Sequence, residues 1–269
     1  MIFKIPFFRA LPFGLASADR VKSAKAKAAI SPGGREVIQI STAEAVLAGN
    51  YDGVAAVRDL IRFGNFGVGT ADAIDGELIL YDGVPYVAKS DGSIAIMAKT
   101  ETVPFATVCR IDRSGLTSGR VDGPIARAEF SRIVDRLAPD PNIFYAVLFE
   151  GDFDSVDARS EKKQEKPYRP LIDAMKADEV RFHYTDKTGV LIGFRFPKLI
   201  GSLNVPGDHL HFLSSDRSIG GHVVDFVLRS GRISVQPIPV FKMYLPENLD
   251  VDTDRLGENR LEKLLRIEK

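Results

Sequence analysis

Short apolar or alternating runs, each ended by a turn signal, constrain the fold of this 269-residue chain more than any other feature. After Glu77, two Asp-Gly dipeptides favour tight hairpins, because they supply the positive backbone angles of two-residue turns. They predict an antiparallel meander of about three strands. Further alternating runs occupy residues 179–185, 190–196, 208–213, 222–228 and 232–244. These five runs predict a five-stranded antiparallel sheet or half-open barrel.

Helical spacing is restricted to short segments of the chain. One helix is predicted over residues 54–63 and another over 125–137, each with apolar residues on one face. Short strands are expected at 37–40 and 143–149. The mixture indicates an α/β (α+β) fold, in which an N-terminal mixed β-sheet domain with helices precedes the C-terminal antiparallel sheet.

A charged stretch with two prolines, between Ser160 and Asp178, is typical of a crossing between substructures. We therefore expect one domain over residues 36–175 and a second over 176–269, which ends in a helix. Residues 1–35 form an N-terminal extension that we expect to be loosely ordered. Its apolar start is interrupted by two charges and two prolines, which argues against a signal peptide and leaves export or transit as the alternative.

The composition excludes several classes of partner. The chain has 36 Lys and Arg against 36 Asp and Glu, so no long-range field favours nucleic acid or an anionic membrane. No run reaches the roughly 18 apolar residues of a membrane-spanning helix. Cys109 is the only cysteine and cannot form an intramolecular disulfide, which suits a reducing compartment such as the cytoplasm.

The histidines are clustered along the chain. Of four histidines, three are His209, His211 and His222, whereas His183 is alone on another strand and is assigned no role. Alternate residues of a strand share a face, so His209 and His211 point the same way. A symmetric hairpin closed between Ser214 and Gly220 would set His211 opposite His222, with Cβ atoms about 5 Å apart. The three imidazoles would then form a triangle.

Three imidazoles on one face suit a catalytic zinc ion, which takes three protein ligands and leaves a fourth position open. Two alternatives use the same residues. A cupin-like barrel would hold iron or manganese and act as a metal oxygenase. A non-catalytic binding module would hold a structural metal, and a fourth protein ligand would then close the site.

Three blocks of sequence discriminate among these alternatives. From about residue 35 to the end, the chain resembles the alpha-acetolactate decarboxylase family. The blocks are Asn50-Tyr51-Asp52-Gly53 through Phe66-Gly67-Val68-Gly69-Thr70 to Ile74-Asp75-Gly76-Glu77; Ala158-Arg159-Ser160 with Gln164 and Pro167-Tyr168; and Gly207-Asp208-His209-Leu210-His211-Phe212 through Gly220-Gly221-His222. Their order and spacing together carry the resemblance.

The resemblance implies a homodimeric two-domain zinc lyase that converts 2-acetolactate into acetoin and carbon dioxide. It implies that the zinc ligands are His209, His211 and His222. Four further residues match functional positions of the family: Glu77 and Glu268 as glutamates near the metal, Arg159 as the arginine, and Thr70 as a threonine that lines the pocket. The tail around Glu268 carries no distinctive motif of its own.

The chemistry of the substrate gives each residue a task. Loss of carbon dioxide leaves an electron pair that must enter the neighbouring ketone, and a zinc ion chelating the ketone and hydroxyl would stabilise the resulting enediolate. Arg159 can grip the leaving carboxylate with its planar pair of donors. Glu77 or Glu268 would supply the proton, and the sequence does not decide between them.

Overall fold

A computed structural model of the chain describes residues 35–247 together with Asn259, Glu262, Lys263 and Leu265. The extension predicted over residues 1–35, apart from Arg35, lies outside the described residues, and so does Glu268. In chain order the strands are β1 (Glu36–Ile40), β2 (Ala55–Ala56), β3 (Phe66–Thr70), β4 (Glu77–Tyr81), β5 (Val84–Ala88), β6 (Ile94–Ile96), β7 (Thr102–Val103), β8 (Phe105–Cys109), β9 (Thr117–Ala126), β10 (Phe144–Glu161), β11 (Glu179–Phe196), β12 (Gly207–Ser214), β13 (Gly220–Ile238) and β14 (Val240–Tyr244).

Four α-helices connect these strands within the part of the chain that the structure describes. They are α1 (Ala43–Leu47), α2 (Val57–Phe63), α3 (Arg127–Leu137) and α4 (Leu171–Asp178). The helices predicted over 54–63 and 125–137 are thus confirmed as α2 and α3, each starting two or three residues later than predicted because a strand precedes it. No helix among the described residues has the length and apolar character needed to cross a membrane.

The strands form two large sheets and one two-stranded pairing of β2 with β7. The larger sheet has the order β14-β1-β8-β3-β4-β5-β6 and is mixed, because β14 runs parallel to β1 while the other pairs run antiparallel. The second sheet has the order β10-β11-β12-β13-β9 and is antiparallel throughout. Because β10 also pairs with β13, the four strands from β10 to β13 form a closed ring. The fold class predicted from the sequence, α+β with a five-stranded half-open barrel, is confirmed.

The membership of the five-stranded sheet differs from the five runs predicted for it. The runs at 179–185 and 190–196 are one strand, β11, and the turn signal at Ser230-Gly231 lies inside β13. Gly151 of β10 pairs with Gly189 on one side and Gly231 on the other. A Cβ added at Gly151 would lie 2.1 Å from a carbonyl oxygen of β13, so these glycines permit close backbone approach inside continuous strands rather than ending them.

Two strands that precede residue 175, β9 and β10, complete the five-stranded sheet, whereas β14 pairs in the seven-stranded sheet. The predicted division into domains 36–175 and 176–269 stays a prediction, and the strand order does not follow it. The two sheets pack face to face through buried residues such as Val68 and Ile79 on one side and Ile192 and Phe194 on the other. Apolar side chains fill this interface, which also holds the candidate site.

Candidate metal centre

The hairpin formed by β12 and β13 carries the three clustered histidines. His211 pairs directly with His222, which confirms the register predicted from a symmetric hairpin. Leu210 and Phe212 point the other way, into the apolar core of the barrel. His209, His211 and His222 are all buried, with no more than 8% of each residue exposed. The strand period therefore separates a polar face from an apolar one, as predicted.

The three imidazoles form a near-equilateral triangle, with ring centroids 5.2, 5.1 and 5.3 Å apart. One nitrogen from each ring lies within 4.8 Å of the other two, and this is the one such group of His, Cys, Asp or Glu found among the described residues. Burial is the main reason that the pKa values of His211 and His222 lie well below the ordinary value. Both rings are therefore neutral at pH 7 and have a lone pair to offer.

The tautomer of His211 is fixed by the neighbouring sheet. Its Nδ1 lies 2.9 Å from the carbonyl oxygen of Leu78 in β4, and a carbonyl can only accept, so Nδ1 carries the proton. The Nε2 lone pair then points towards His209, whose Nε2 is 3.2 Å away. Two nitrogen ligands of a tetrahedral zinc ion, each at about 2.0–2.1 Å, lie about 3.3 Å from one another. The three-histidine donor set, with this pair of nitrogens at the expected spacing, thus fits a divalent metal.

Glu77 lies beside this triangle at the start of β4. Its Oε2 is 3.4 Å from His211 Nε2, and only 7% of the residue is exposed. Gly76 precedes it with a φ of 99°, and a Cβ at Gly76 would lie 2.6 Å from the carbonyl oxygen of Ala88. Only glycine combines this backbone angle with this close approach. The turn before Glu77 is therefore fixed by this glycine, and it directs the carboxylate towards the histidines.

Thr70 and Ser160 brace the same turn from two sides. The Thr70 hydroxyl donates to the carbonyl of Gly76 at 2.9 Å, across the β3–β4 hairpin. The Ser160 hydroxyl donates to the carbonyl of Ala88 at 2.9 Å, so β10 is tied to β5 next to Glu77. Thr70 also lines the cavity. These two hydroxyls connect the turn to both sheets.

Arg159 lies on β10 directly opposite His222 and is 5% exposed. Its Nη1 contacts Glu161 Oε1 at 2.5 Å and Glu179 Oε2 at 3.3 Å. The sequence analysis missed both glutamates. The available signal was spacing, since Arg159 and Glu161 are two apart on a strand and share a face. Glu179 could not be found that way, because its proximity depends on the register of β10 with β11.

A cavity of about 80 Å³, open to solvent, lies beside these groups and is also lined by apolar side chains. His209, His222, Glu77, Arg159 and Thr70 are among its polar lining residues. Its apolar wall belongs to a separate cluster and is made of Ala43, Val46, Ile74, Phe105, Leu171 and Val205. Helix α1 brings Ala43 and Val46 to this wall, and the helix is capped by Thr42, whose hydroxyl accepts from the Ala45 amide at 3.0 Å.

The structure brings together six of the seven residues predicted for the site. Glu268, the seventh, lies outside the described residues. His183, assigned no role, lies on the surface, where its Nδ1 is 2.6 Å from Asp157 Oδ1.

Among the described cavity residues, the carboxylates of Glu77 and Glu161 outnumber the guanidinium of Arg159, so the formal charge of the lining is −1 with neutral histidines. Without a cation, this lining disfavours an anionic ligand.

Comparison with known proteins gives a consistent result. Residues 37–258 match the family model for alpha-acetolactate decarboxylase. The alpha-acetolactate decarboxylase of Methanosarcina mazei is 40% identical over 231 residues, covering 86% of this chain and 79% of the relative. That of Bacillus subtilis is 32% identical over 215 residues, covering 80% of this chain and 83% of the relative. The crystal structure of alpha-acetolactate decarboxylase from Bacillus subtilis strain 168 aligns with a TM-score of 0.77 at 30% identity, covering 84% of this chain and 99% of that one.

Proposed function

The chain belongs to the alpha-acetolactate decarboxylase family, and from that premise we propose that it is a carbon–carbon lyase that converts 2-acetolactate into acetoin and carbon dioxide with zinc as cofactor. The observation that carries the proposal is the triangle of buried histidines, which adjoins Glu77 and Arg159 at the cavity. Neutral ligands leave a bound dication its full charge, and that charge reverses the sign of a cavity lined by more carboxylates than guanidinium groups.

When bound by the three histidines, the metal supplies Lewis-acid polarisation of the substrate ketone. The remaining groups bind and orient the substrate. Arg159 is buried beside His222, so its guanidinium can grip the carboxylate where little water competes. Its grip directs the breaking C–C bond out of the plane of the ketone, which lets the electron pair enter the carbonyl. The carboxylate then leaves as carbon dioxide.

Glu77 transfers the proton that completes the reaction, which its carboxylate first takes up from solvent. The carbon that lost carbon dioxide must gain one proton to become the carbinol carbon of acetoin. A carboxyl group fixed by the Gly76 turn and the Thr70 hydroxyl approaches that carbon from one side only. Glu268 is the alternative donor, on family resemblance alone.

The apolar wall suits the two methyl groups of acetolactate. Ala43, Phe105, Leu171 and Val205 offer no hydrogen bonds, so they favour the alkyl end of the substrate and exclude water from it. The substrate is therefore oriented by its chemistry: carboxylate and oxygens face Arg159 and the histidines, and methyl groups face α1 and α4. Excluded water also strengthens each electrostatic contact in the cavity.

We also propose that the protein is a cytoplasmic homodimer that associates through its N-terminal domain. The single cysteine, Cys109, is buried and reduced, which fits a reducing compartment. For dimerisation, the support is family resemblance together with the meander β4–β5–β6. That meander ends in an edge strand on which Ile96 is 66% exposed.

The function is tested with purified protein and racemic 2-acetolactate. We expect equal molar yields of acetoin and carbon dioxide without oxygen uptake, lost on dialysis against a chelator and restored by zinc. A protein that consumes oxygen with this substrate would instead be the cupin-like oxygenase. A protein that retains its metal but forms no acetoin would fit the structural module.

A further inference from the structure

Arg159 lines the cavity, and its guanidinium also contacts the carboxylates of Glu161 and Glu179. Glu161 Oε1 is 2.5 Å and Glu179 Oε2 is 3.3 Å from the same nitrogen, Nη1. The side chains of Arg159 and Glu161 are each 6% exposed and that of Glu179 is 12% exposed. The Met175 sulfur lies 3.7 Å from the same nitrogen.

Strand geometry produces this arrangement. Arg159 and Glu161 lie two residues apart on β10 and therefore share a face, and Glu161 pairs directly with Glu179 on β11. Two carboxylates facing each other across a ladder repel, and this pair is tolerated because the guanidinium lies between them. Glu179 also pairs with Arg181, whose Nε lies 2.6 Å from its Oε1, so Glu161 is the carboxylate that chiefly offsets Arg159. The guanidinium at the cavity is thus neutralised by a carboxylate beside it.

Such an arrangement costs stability unless it serves the site, because a buried ion pair recovers its desolvation with difficulty and a third charge adds to that cost. Glu161 neutralises Arg159, and its negative charge acts on any anion that enters the cavity.

The negative charge beside Arg159 favours the decarboxylation step. The carboxylate is negative in the bound substrate and becomes neutral carbon dioxide, so its charge disperses as the C–C bond breaks. An unopposed buried arginine would stabilise the bound substrate more than the transition state, and such binding lowers the rate of the chemical step. The carboxylates beside Arg159 weaken the attraction between its guanidinium and the substrate carboxylate. Their hydrogen bonds also keep the orientation of the guanidinium fixed.

We infer that Glu161, supported by Glu179, is a positioning residue that fixes Arg159 and weakens ground-state binding of the substrate carboxylate. The inference rests on the proposed function, since it requires a substrate that loses a carboxylate.

The test is Glu161→Gln, which keeps the size and an acceptor oxygen but removes the charge. Stronger ground-state binding combined with weaker orientation lowers both KM and kcat for acetolactate, each by about 3- to 30-fold. The matched control is Glu150→Gln, also on β10, whose carboxylate pairs with Arg113 at 2.7 Å away from the cavity. We expect the control to keep the wild-type kcat and KM. A Glu161→Gln enzyme whose KM is unchanged or raised overturns the inference.

A second measurement separates this role from a purely structural one. Calorimetric binding is compared for 2-hydroxy-2-methylpropanoate, which carries a carboxylate, and 2,3-butanediol, which does not. Glu161→Gln should increase affinity for the first by about 3- to 30-fold and leave the second unchanged. Glu179→Gln, at the longer distance, should shift affinity in the same direction by less, and it keeps the test decisive if Glu161→Gln does not fold. Equal changes for both probes refute the inference.

Wild-type kinetics distinguish the two possible failures. If the wild-type protein makes no acetoin, the proposed function fails. If the wild-type protein is active but Glu161→Gln resembles Glu150→Gln in kcat, KM and probe binding, only the role of Glu161 fails.

Discussion

Replacing Gly76 by alanine tests whether the turn before Glu77 positions its carboxylate. Gly76 has a φ of 99°, and a Cβ there would lie 2.6 Å from the carbonyl oxygen of Ala88. The left-handed backbone costs alanine roughly 1–2 kcal/mol. Relieving the contact moves the Ala88 carbonyl, which accepts from the Ser160 hydroxyl at 2.9 Å, and losing that hydrogen bond adds roughly 1 kcal/mol.

Gly83 is a matched control at the other end of the same strand. Its φ is 80°, but nothing lies within 4 Å of an added Cβ, so Gly83→Ala carries the backbone cost without the contact. We expect a loss in free energy of unfolding of roughly 1–2 kcal/mol for Gly83→Ala and 2–3 kcal/mol for Gly76→Ala. The corresponding falls in Tm are roughly 2–8 °C and 4–12 °C.

Activity separates the two variants more sharply than stability does. Moving Glu77 by about 1 Å relative to the histidines should lower kcat about 100-fold, the usual penalty for misplaced catalytic groups. Gly83→Ala should retain the wild-type kcat when assayed below its Tm. The assay is acetoin formation at 25 °C beside a thermal unfolding scan. Equal kcat values for the two variants would show that the turn does not position Glu77.

Three further predictions use other measurements. Purified protein should contain about one zinc per chain, and His211→Ala should lose both zinc and activity; full zinc in that variant contradicts the ligand set. Glu77→Gln should keep zinc but lose about 10² to 10⁴ in rate, and the wild type in deuterium oxide should place one deuterium on one face of acetoin. If freshly formed acetoin is racemic, Glu77 is not the proton donor. The same conclusion follows if Glu268→Gln loses this rate and Glu77→Gln does not. Light scattering at micromolar concentration should report a dimer, and a monomer there would contradict dimerisation.

The histidine triangle could be predicted because it depends on local rules. The two-residue period of a strand and the symmetry of one hairpin set the register of His211 with His222, and the structure has that register. The turns at Asp82-Gly83 and before Glu77 follow from the angles that glycine allows. In each case, the residues that decide the geometry are close together in the chain.

The parts that could not be predicted depend on contacts between distant segments. Gly189 and Ser230-Gly231 have the composition of turns, yet they lie within strands. The close approach of β12 requires glycine at position 189, and that of β10 requires glycine at position 231. Glu179 reaches Arg159 only through the pairing of β10 with β11. The membership of β9 and β14 in their sheets likewise depends on pairing partners far away in sequence. Local patterns therefore predict the number of strands more reliably than they predict how those strands pair.

The parallel pairing of β14 with β1 has a consequence for synthesis of the chain. Strand β1 (Glu36–Ile40) emerges early from the ribosome, but its partner on one side, Val240–Tyr244, emerges some 200 residues later. Until then, the unpaired edge of a nearly buried strand is exposed to other nascent chains. A truncation that ends before Val240 would leave that edge open permanently, and such a fragment should aggregate even though all three histidines are present.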